Sequence, residues 1–288
     1  MKILLTGANG SFGSELMRHL NDFDVETISL RYGAEANQMS KLASCDVFIH
    51  CGALINGDFN DLFKSNVLLT KNIMDYLFSA NPKVHFIYFS SMSILQKKRH
   101  VSAYDYLNFN SMSDYALSKY LAESICSRFR NRLRYTIVRF STLFQKDPAK
   151  DGLSKLVYDG VVNNKITIFN DGFATRDFMP LDIASQYVVR LVGQEKFFGE
   201  TFNIVSGKET SFKEIANFLC NKIDHLVVEN KNDTNVVDQV ASNFSPQDIF
   251  KIGQIDFDIH ESIISYLKEL QSSVKFRKDK LTSQVRKR

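Results

Sequence analysis

The feature that most constrains this chain stands at its start. A short apolar run, Lys2-Ile3-Leu4-Leu5-Thr6, ends in Gly7-Ala8-Asn9-Gly10-Ser11-Phe12-Gly13. A helical pattern follows, with Leu16, Met17 and Leu20 on one face, and then a second apolar run, Val25–Leu30. Strand, glycine turn, helix and strand in this order are the layout of a βαβ unit that binds a dinucleotide. Glycines in such a turn let the backbone bend tightly and approach a pyrophosphate, whose charge suits the positive end of the following helix.

The alternation continues. Strands are predicted at Asp46–His50, Val84–Phe89 and Tyr135–Arg139, with the clearest helices at Ser65–Ala80 and Ser113–Arg130. Strands alternating with helices imply an α/β fold, a doubly wound parallel sheet of Rossmann type. After Phe144 the pattern loosens. Lys146-Asp147-Pro148 breaks it, Asn163-Asn164 and Asn170-Asp171-Gly172 read as turns, and Thr201–Val205 reads as a strand returning to the sheet. The expected division is a dinucleotide-binding domain over 1–145 and 176–206, with a smaller C-terminal substrate-binding lobe over 146–175 and 207–274.

Charge and cysteine content exclude more than they assign. The formal net charge is +4 over 288 residues, yet seven Lys or Arg against one Asp fall between Lys275 and Arg288. The body is therefore near neutral, and 275–288 reads as a basic, flexible, solvated tail rather than a nucleic-acid surface. No apolar run approaches the roughly 18 residues of a membrane span. The start of the chain reaches Thr6-Gly7 too soon for a signal peptide. Cys45, Cys51, Cys126 and Cys220 form no CxxC pair, which suits reduced thiols in a cytoplasmic protein. No metal-ligand cluster is expected.

Chemistry enters with Phe89-Ser90-Ser91-Met92-Ser93, at the carboxyl end of a predicted strand, where open α/β sheets hold ligands. Tyr115 follows Ser91 by twenty-four residues, and Lys119 stands one helical turn later on the same face. A Tyr-x-x-x-Lys pair alone is ordinarily a helix surface. Together with the glycine turn and Ser91, it resembles the short-chain dehydrogenase/reductase superfamily, in particular the extended branch of nucleotide-sugar epimerases, dehydratases and reductases. The resemblance runs through most of the chain. His50-Cys51-Gly52-Ala53 is similar to that branch's His-x-Ala-Ala, and Asn66-Val67-Leu68-Leu69-Thr70-Lys71-Asn72-Ile73 to its Asn-Val-x-Gly-Thr-x-Asn-Leu helix. Arg139-Phe140-Ser141-Thr142 matches Arg-Pro-x-Asn loosely, and Thr175-Arg176-Asp177-Phe178-Met179-Pro180-Leu181-Asp182 resembles Arg-Asp-Phe-Ile-His-Val-x-Asp.

The resemblance implies roles. Ser91, Tyr115 and Lys119 would be catalytic. The cofactor would lie against Gly7, Asn9, Gly10, Ser11, Phe12, Gly13, Cys51, Gly52, Ala53, Asn66, Ser90, Tyr115, Lys119 and Phe140. A nucleotide-linked sugar would meet Ser91, Met92, Ser93, Thr142 and Arg176, with Arg176 on its phosphates. A homodimer through the two long helices is also implied. Hydride transfer at a C–O carbon requires a proton to move at the oxygen, and a free phenol with a pKa near ~10 is a poor base at neutral pH. The Lys119 ammonium and a positive nicotinamide ring are expected to favour the Tyr115 phenolate.

Departures narrow the reaction. Met92 and Ser93 stand where sugar dehydratases carry an Asp-Glu pair, which disfavours dehydration. Leu143-Phe144-Gln145-Lys146-Asp147 lacks the histidine of the GDP-fucose-forming epimerase-reductases. The second strand ends Ile28-Ser29-Leu30-Arg31-Tyr32, without the acid that binds both ribose hydroxyls of NAD, and Arg31 suits a 2′-phosphate. The expectation is NADPH-dependent reduction of a keto-sugar nucleotide, with NADP as cofactor and NAD possible. The alternatives are a 4-epimerase that retains NAD and a non-catalytic NADP-binding sensor.

Overall fold

The computed structural model describes residues 1–33, 36–95, 109, 112–233 and 247–285. The chain opens with β1 (Lys2–Thr6), α1 (Ser11–His19), β2 (Asp24–Ile28), α2 (Ala36–Leu42) and β3 (Val47–His50). A short α3 (Phe59–Leu62) runs through a π-helical stretch, Phe63–Leu68, into α4 (Leu69–Ala80). Next come β4 (His85–Ser91), α5 (Asp114–Ser127) and β5 (Arg134–Phe140). With β10 (Glu200–Ile204) these strands form one parallel sheet in the order β10-β5-β4-β3-β1-β2.

The inner strands β3, β4 and β5 are buried along nearly their whole length because helices cover both faces. On one face α4 and α5 pack Leu69, Ile73, Met74, Leu77, Ala122 and Cys126 against Phe48, Phe86, Tyr88 and Ile137. On the other, α1 and α7 (Leu181–Leu191) pack Leu16, Leu20, Tyr187, Val188 and Leu191 against Ile3, Leu5, Ile49, Ile87 and Val138. From β1 the sheet grows first through β2 and then, on the opposite side, through β3. That reversal opens a crevice beyond the carboxyl ends of β1 and β3.

The second half of the chain makes small strand pairs. β6 (Thr142–Phe144) pairs with β9 (Phe178–Pro180), and β7 (Lys165–Phe169) with β12 (Val227–Lys231). β8 (Thr175–Arg176) pairs with β11 (Thr210–Ser211). Around them α6 (Gly152–Asn163), α8 (Phe212–Cys220) and the first turns of α10 (Ile259–Val285) bury Leu153, Val157, Ile166, Phe178, Ile215, Ile263 and Leu267 as a separate core.

Two details depart from the sequence reading. Residues 247–257, assigned there to the lobe, pack on the sheet. In this stretch α9 (Gln247–Ile252) buries Ile249 beside Phe202, and the Asp248 carboxylate takes the Asn203 N–H at 2.9 Å, so α9 covers the β10 edge. The basic 275–288 segment also begins inside a helix, since α10 continues to Val285. Among the described residues no helix is long and apolar enough to cross a membrane.

Candidate active site

The glycine turn joins β1 to α1. Gly7 has φ +71°, and a Cβ there would lie 2.8 Å from the Gly52 N. A Cβ on Gly13 would lie 2.2 Å from the Gly7 carbonyl oxygen. Both positions exclude any side chain, so backbone alone faces the crevice. Gly10 caps α1 without a side-chain hydrogen bond, and no acidic residue lies in the first turn. The N–H groups of that turn therefore have neither a capping oxygen nor a local negative charge. Asn9 and Gly10 are exposed at the rim, while Phe12 packs its ring against Phe89 and Phe140 at 4.9 and 4.8 Å.

Across the crevice, Cys51, Gly52 and Ala53 follow β3. Thr6 and His50 bond side chain to side chain at 2.7 Å, and the Gly52 N–H donates to the Thr6 Oγ1 at 3.3 Å. Burial pushes His50 down to about 3, so its ring is neutral. Asn66 lies within the π-helical stretch. Its amide donates to the Leu54 carbonyl at 2.8 Å and to Ser118 Oγ at 2.9 Å, while its oxygen takes the Leu54 N–H. Ser118 in turn donates to the Tyr115 carbonyl. Asn66 thus clamps the loop after β3 to the helix that carries Tyr115, and the widened turn of the π stretch is where that amide departs from the helix.

Ser113 caps α5 by accepting the Ala116 N–H at 3.2 Å. The helix then lays Tyr115 and Lys119 on the sheet beside the end of β4. Lys119 is 3% exposed, donates to the Phe89 carbonyl at 2.7 Å, and has its Nζ 4.9 Å from the Tyr88 ring centroid and 5.9 Å from that of Tyr115. Burial lowers Lys119 to about 8, against the opposing field of Glu123. Burial also pushes Tyr115 up to about 12. The sequence reading expects Lys119 to favour the phenolate. In the protein alone burial outweighs that help, because removing a phenolate from water costs more than one cation at ring distance returns.

Ser91 ends β4 opposite Phe140. Its Oγ accepts from the Ser93 N–H at 3.1 Å and the Ser93 hydroxyl at 2.9 Å, which leaves its own proton to donate. Met92 is buried among Ile94, Leu95, Ala116 and Val205. Ser90 has a buried Oγ with no hydrogen-bond partner among the described residues, so this end of the sheet has polar capacity in reserve. Thr142 opens β6, with its N–H on the Asp177 carbonyl. Arg176, half-buried on β8, donates to the Thr175 carbonyl and lies 5.8 Å from the Phe212 ring. Arg31 is exposed, three residues beyond the last β1–β2 pair, Thr6 with Ile28.

The candidates therefore gather at one end of the sheet: the glycine turn, 51–53, 90–93, 115 and 119, with 142 entering from β6. The sequence reading missed the pairing of buried Glu123 with the half-buried Arg139. Glu123 was visible as the next residue on the Tyr115–Lys119 face, but nothing in the sequence paired it with a strand arginine. Among the described residues no group of three or more His, Cys, Asp or Glu is arranged to hold a metal ion.

Comparison with known proteins agrees with this geometry. The NAD dependent epimerase/dehydratase family model matches residues 3–204. A UDP-glucose epimerase of Bacillus subtilis (strain 168), YtcB, described as uncharacterized, is 22% identical over 256 residues, covering 76% of this chain and 81% of that one. MoeE5, solved in complex with UDP-glucuronic acid and NAD, superposes with a TM-score of 0.82 at 19% identity, covering 95% of this chain and all of that one. UDP-glucuronic acid 4-epimerase from Bacillus cereus, solved with UDP-glucuronic acid and NAD, superposes with a TM-score of 0.76 at 21% identity, covering 94% and 100%.

Proposed function

The chain belongs to the NAD dependent epimerase/dehydratase family, and from that premise we propose that it reduces a keto group on a nucleotide-linked sugar with NADPH. The observation that supports the reading is Lys119 held on the Phe89 carbonyl beside the Tyr115 ring, at the end of the strand that Ser91 closes, with a turn nearby that admits only glycine at positions 7 and 13. When bound, the nicotinamide supplies the hydride. The chain's own residues do the rest. Tyr115 Oη delivers the proton to the substrate oxygen and Ser91 Oγ donates to that same oxygen. Lys119 turns spare N–H donors to the cofactor ribose and keeps positive charge beside the phenol. Gly7, Gly10, Ser11 and Gly13 hold the pyrophosphate by backbone. Arg176 takes the sugar-nucleotide phosphates.

Buried Met92 and exposed Ser93 beside Ser91 offer no acid or base at carbon, which speaks against dehydration. The lack of an acid after Ile28 speaks for NADPH. Fluorescence titration should find NADPH bound about five- to a hundredfold more tightly than NADH, the worth of one charge-assisted contact of roughly 1–3 kcal/mol. Arg31→Ala should weaken NADPH alone, and Arg31→Asp should reverse the preference.

A second reading, a 4-epimerase retaining NAD, is favoured by the epimerase names and the NAD held by the solved relatives. A wild-type preference for NADH, or protein that purifies with NAD resistant to dialysis, would decide for it. We also propose a homodimer through α4 and α5, where Phe78 is exposed against Phe129 at 5.8 Å. Light scattering at micromolar concentration reads this directly, and a monomer would overturn it.

A further inference from the structure

Glu123 lies one helical turn beyond Lys119, so Tyr115, Lys119 and Glu123 share a face of α5. Its carboxylate is buried and takes two N–H groups from Arg139, Nε to Oε1 at 2.9 Å and a terminal guanidinium nitrogen to Oε2 at 2.7 Å. Arg139 stands in β5 directly opposite Ser90 of β4 and Asn203 of β10, and the next residue along, Phe140, is opposite Ser91. One bidentate pair therefore bolts the helix bearing Tyr115 and Lys119 to the sheet, one residue from the strand position of Ser91.

A buried ion pair is a poor device for stability alone, since desolvating both ions costs about as much as their attraction returns. What this pair does have is location. Lys119 is faced by Tyr115, Glu123 and Cys126 from its own helix, by His50 and Cys51 from the end of β3, and by Tyr88 from β4. Glu123 is the single carboxylate in that set, and it is the largest influence opposing the burial that drives Lys119 down to about 8. Two charge-assisted bonds from Arg139 keep that carboxylate aimed.

We propose that Glu123 and Arg139 are positioning residues for the proton-handling pair: the ion pair sets where α5 sits over β4 and β5 and holds the carboxylate one turn from the Lys119 ammonium. The inference rests on the reading of Tyr115 and Lys119 as the hydride-transfer pair. It separates this site from a merely well-packed helix, because removing the carboxylate should alter when Lys119 is charged, not only how firmly the helix is held.

The test is the pH dependence of NADPH and NADH binding, followed by fluorescence across pH 6–10, which needs no turnover. In wild type, binding should weaken on the alkaline side as Lys119 loses its proton. Glu123→Gln should move that limb to lower pH by about one unit, and so weaken binding roughly tenfold at pH values above the new limb. Arg139→Lys, which keeps a cation on the carboxylate, should restore most of the wild-type profile relative to Arg139→Met. Should Glu123→Gln fail to fold, the double variant Glu123→Leu/Arg139→Leu carries the test, since apolar replacement of a whole buried pair is usually tolerated. It should keep wild-type thermal stability and still show the displaced limb. A limb that stays in place in either folded variant overturns the inference. Wild type that binds neither dinucleotide, or turnover indifferent to Tyr115→Phe, would instead overturn the parent reading.

Discussion

The sheet and the lobe each hold a buried ionisable group displaced by desolvation, and the two groups are held in contrasting ways. Lys119, in the sheet half, makes one hydrogen bond among the described residues, to the Phe89 carbonyl, and has two further N–H donors beside the aromatic rings of Tyr88 and Tyr115. Asp177, between β8 and β9 where the chain passes from the lobe to the sheet half, has both oxygens committed: Oδ1 takes the Ser206 N–H at 2.9 Å and Oδ2 the Gly207 N–H at 2.8 Å. Its backbone carbonyl also takes the Thr142 N–H. Asp177 is a tie that sets the loop after β10 and the start of β6 around the neighbouring Arg176. Lys119 has capacity left over. Saturated bonding suits a structural part, and unspent donors in a dry pocket suit the working part that the proposed function gives to Lys119.

The contrast is open to attack at several points. The largest effect belongs to the working group's neighbour. Tyr115→Phe should lower turnover by about 10²–10⁴-fold while leaving dinucleotide affinity and thermal stability near wild type. Retention of more than about a tenth of the wild-type kcat would show that this end of the sheet is not where the proton moves.

Asp177→Ala should act in the opposite manner. It strands two half-buried N–H groups, so chemical denaturation should show a loss of about 1–3 kcal/mol. Substrate KM should rise with dinucleotide Kd unchanged, because the tie serves the lobe. If cofactor affinity collapsed as well, the two regions would not be separable.

Gly13→Ala sharpens the sheet side. Its Cβ would meet the Gly7 carbonyl at 2.2 Å, and the backbone turn has to open to admit it. We expect about 1–3 kcal/mol of destabilisation and loss of dinucleotide binding, read by calorimetry and titration.

The smallest effects, taken per pH unit, are in the pH dependence of stability, with opposite signs for the two groups. Burial raises Asp177 from 3.8 to about 6, so its contribution is present below pH 3.8 and is lost as pH rises through 6. Burial lowers Lys119 from 10.5 to about 8, so its contribution is present above pH 10.5 and is lost as pH falls through 8. Urea titrations should therefore find wild type gaining on Lys119→Met from pH 8 to 10.5, and losing ground to Asp177→Asn from pH 3.8 to 6, each on the order of 1 kcal/mol per pH unit. Parallel curves in either window would break the comparison.

Much of the sheet half was legible because its signals are local. Lys2–Thr6, the glycine turn and the helix after it are adjacent in sequence, and buried parallel strands leave apolar runs that can be read one at a time. Tyr115 and Lys119 share a face by helix geometry alone. The lobe left no such trace. Its strands are two to five residues long, too short for a period to show, and each finds its partner far along the chain, as Thr175 and Arg176 do with Ser211 and Thr210. The 247–257 stretch was misassigned because its apolar residues say that it packs, not on what.

By itself, then, the sequence determined the parallel α/β architecture, the glycine turn between its first strand and helix, and the shared helix face of Tyr115 and Lys119. These follow from spacing within single elements and from side chains that have few other uses in those places. Only the tertiary structure decided that Asn66 clamps the loop after β3, that Arg139 crosses from β5 to Glu123, that Asp177 spends both oxygens on one loop, and that burial outweighs Lys119 at Tyr115. Each of those is a contact between elements or a property of the solvent-free space they enclose, and neither distance nor dielectric is written in the order of residues.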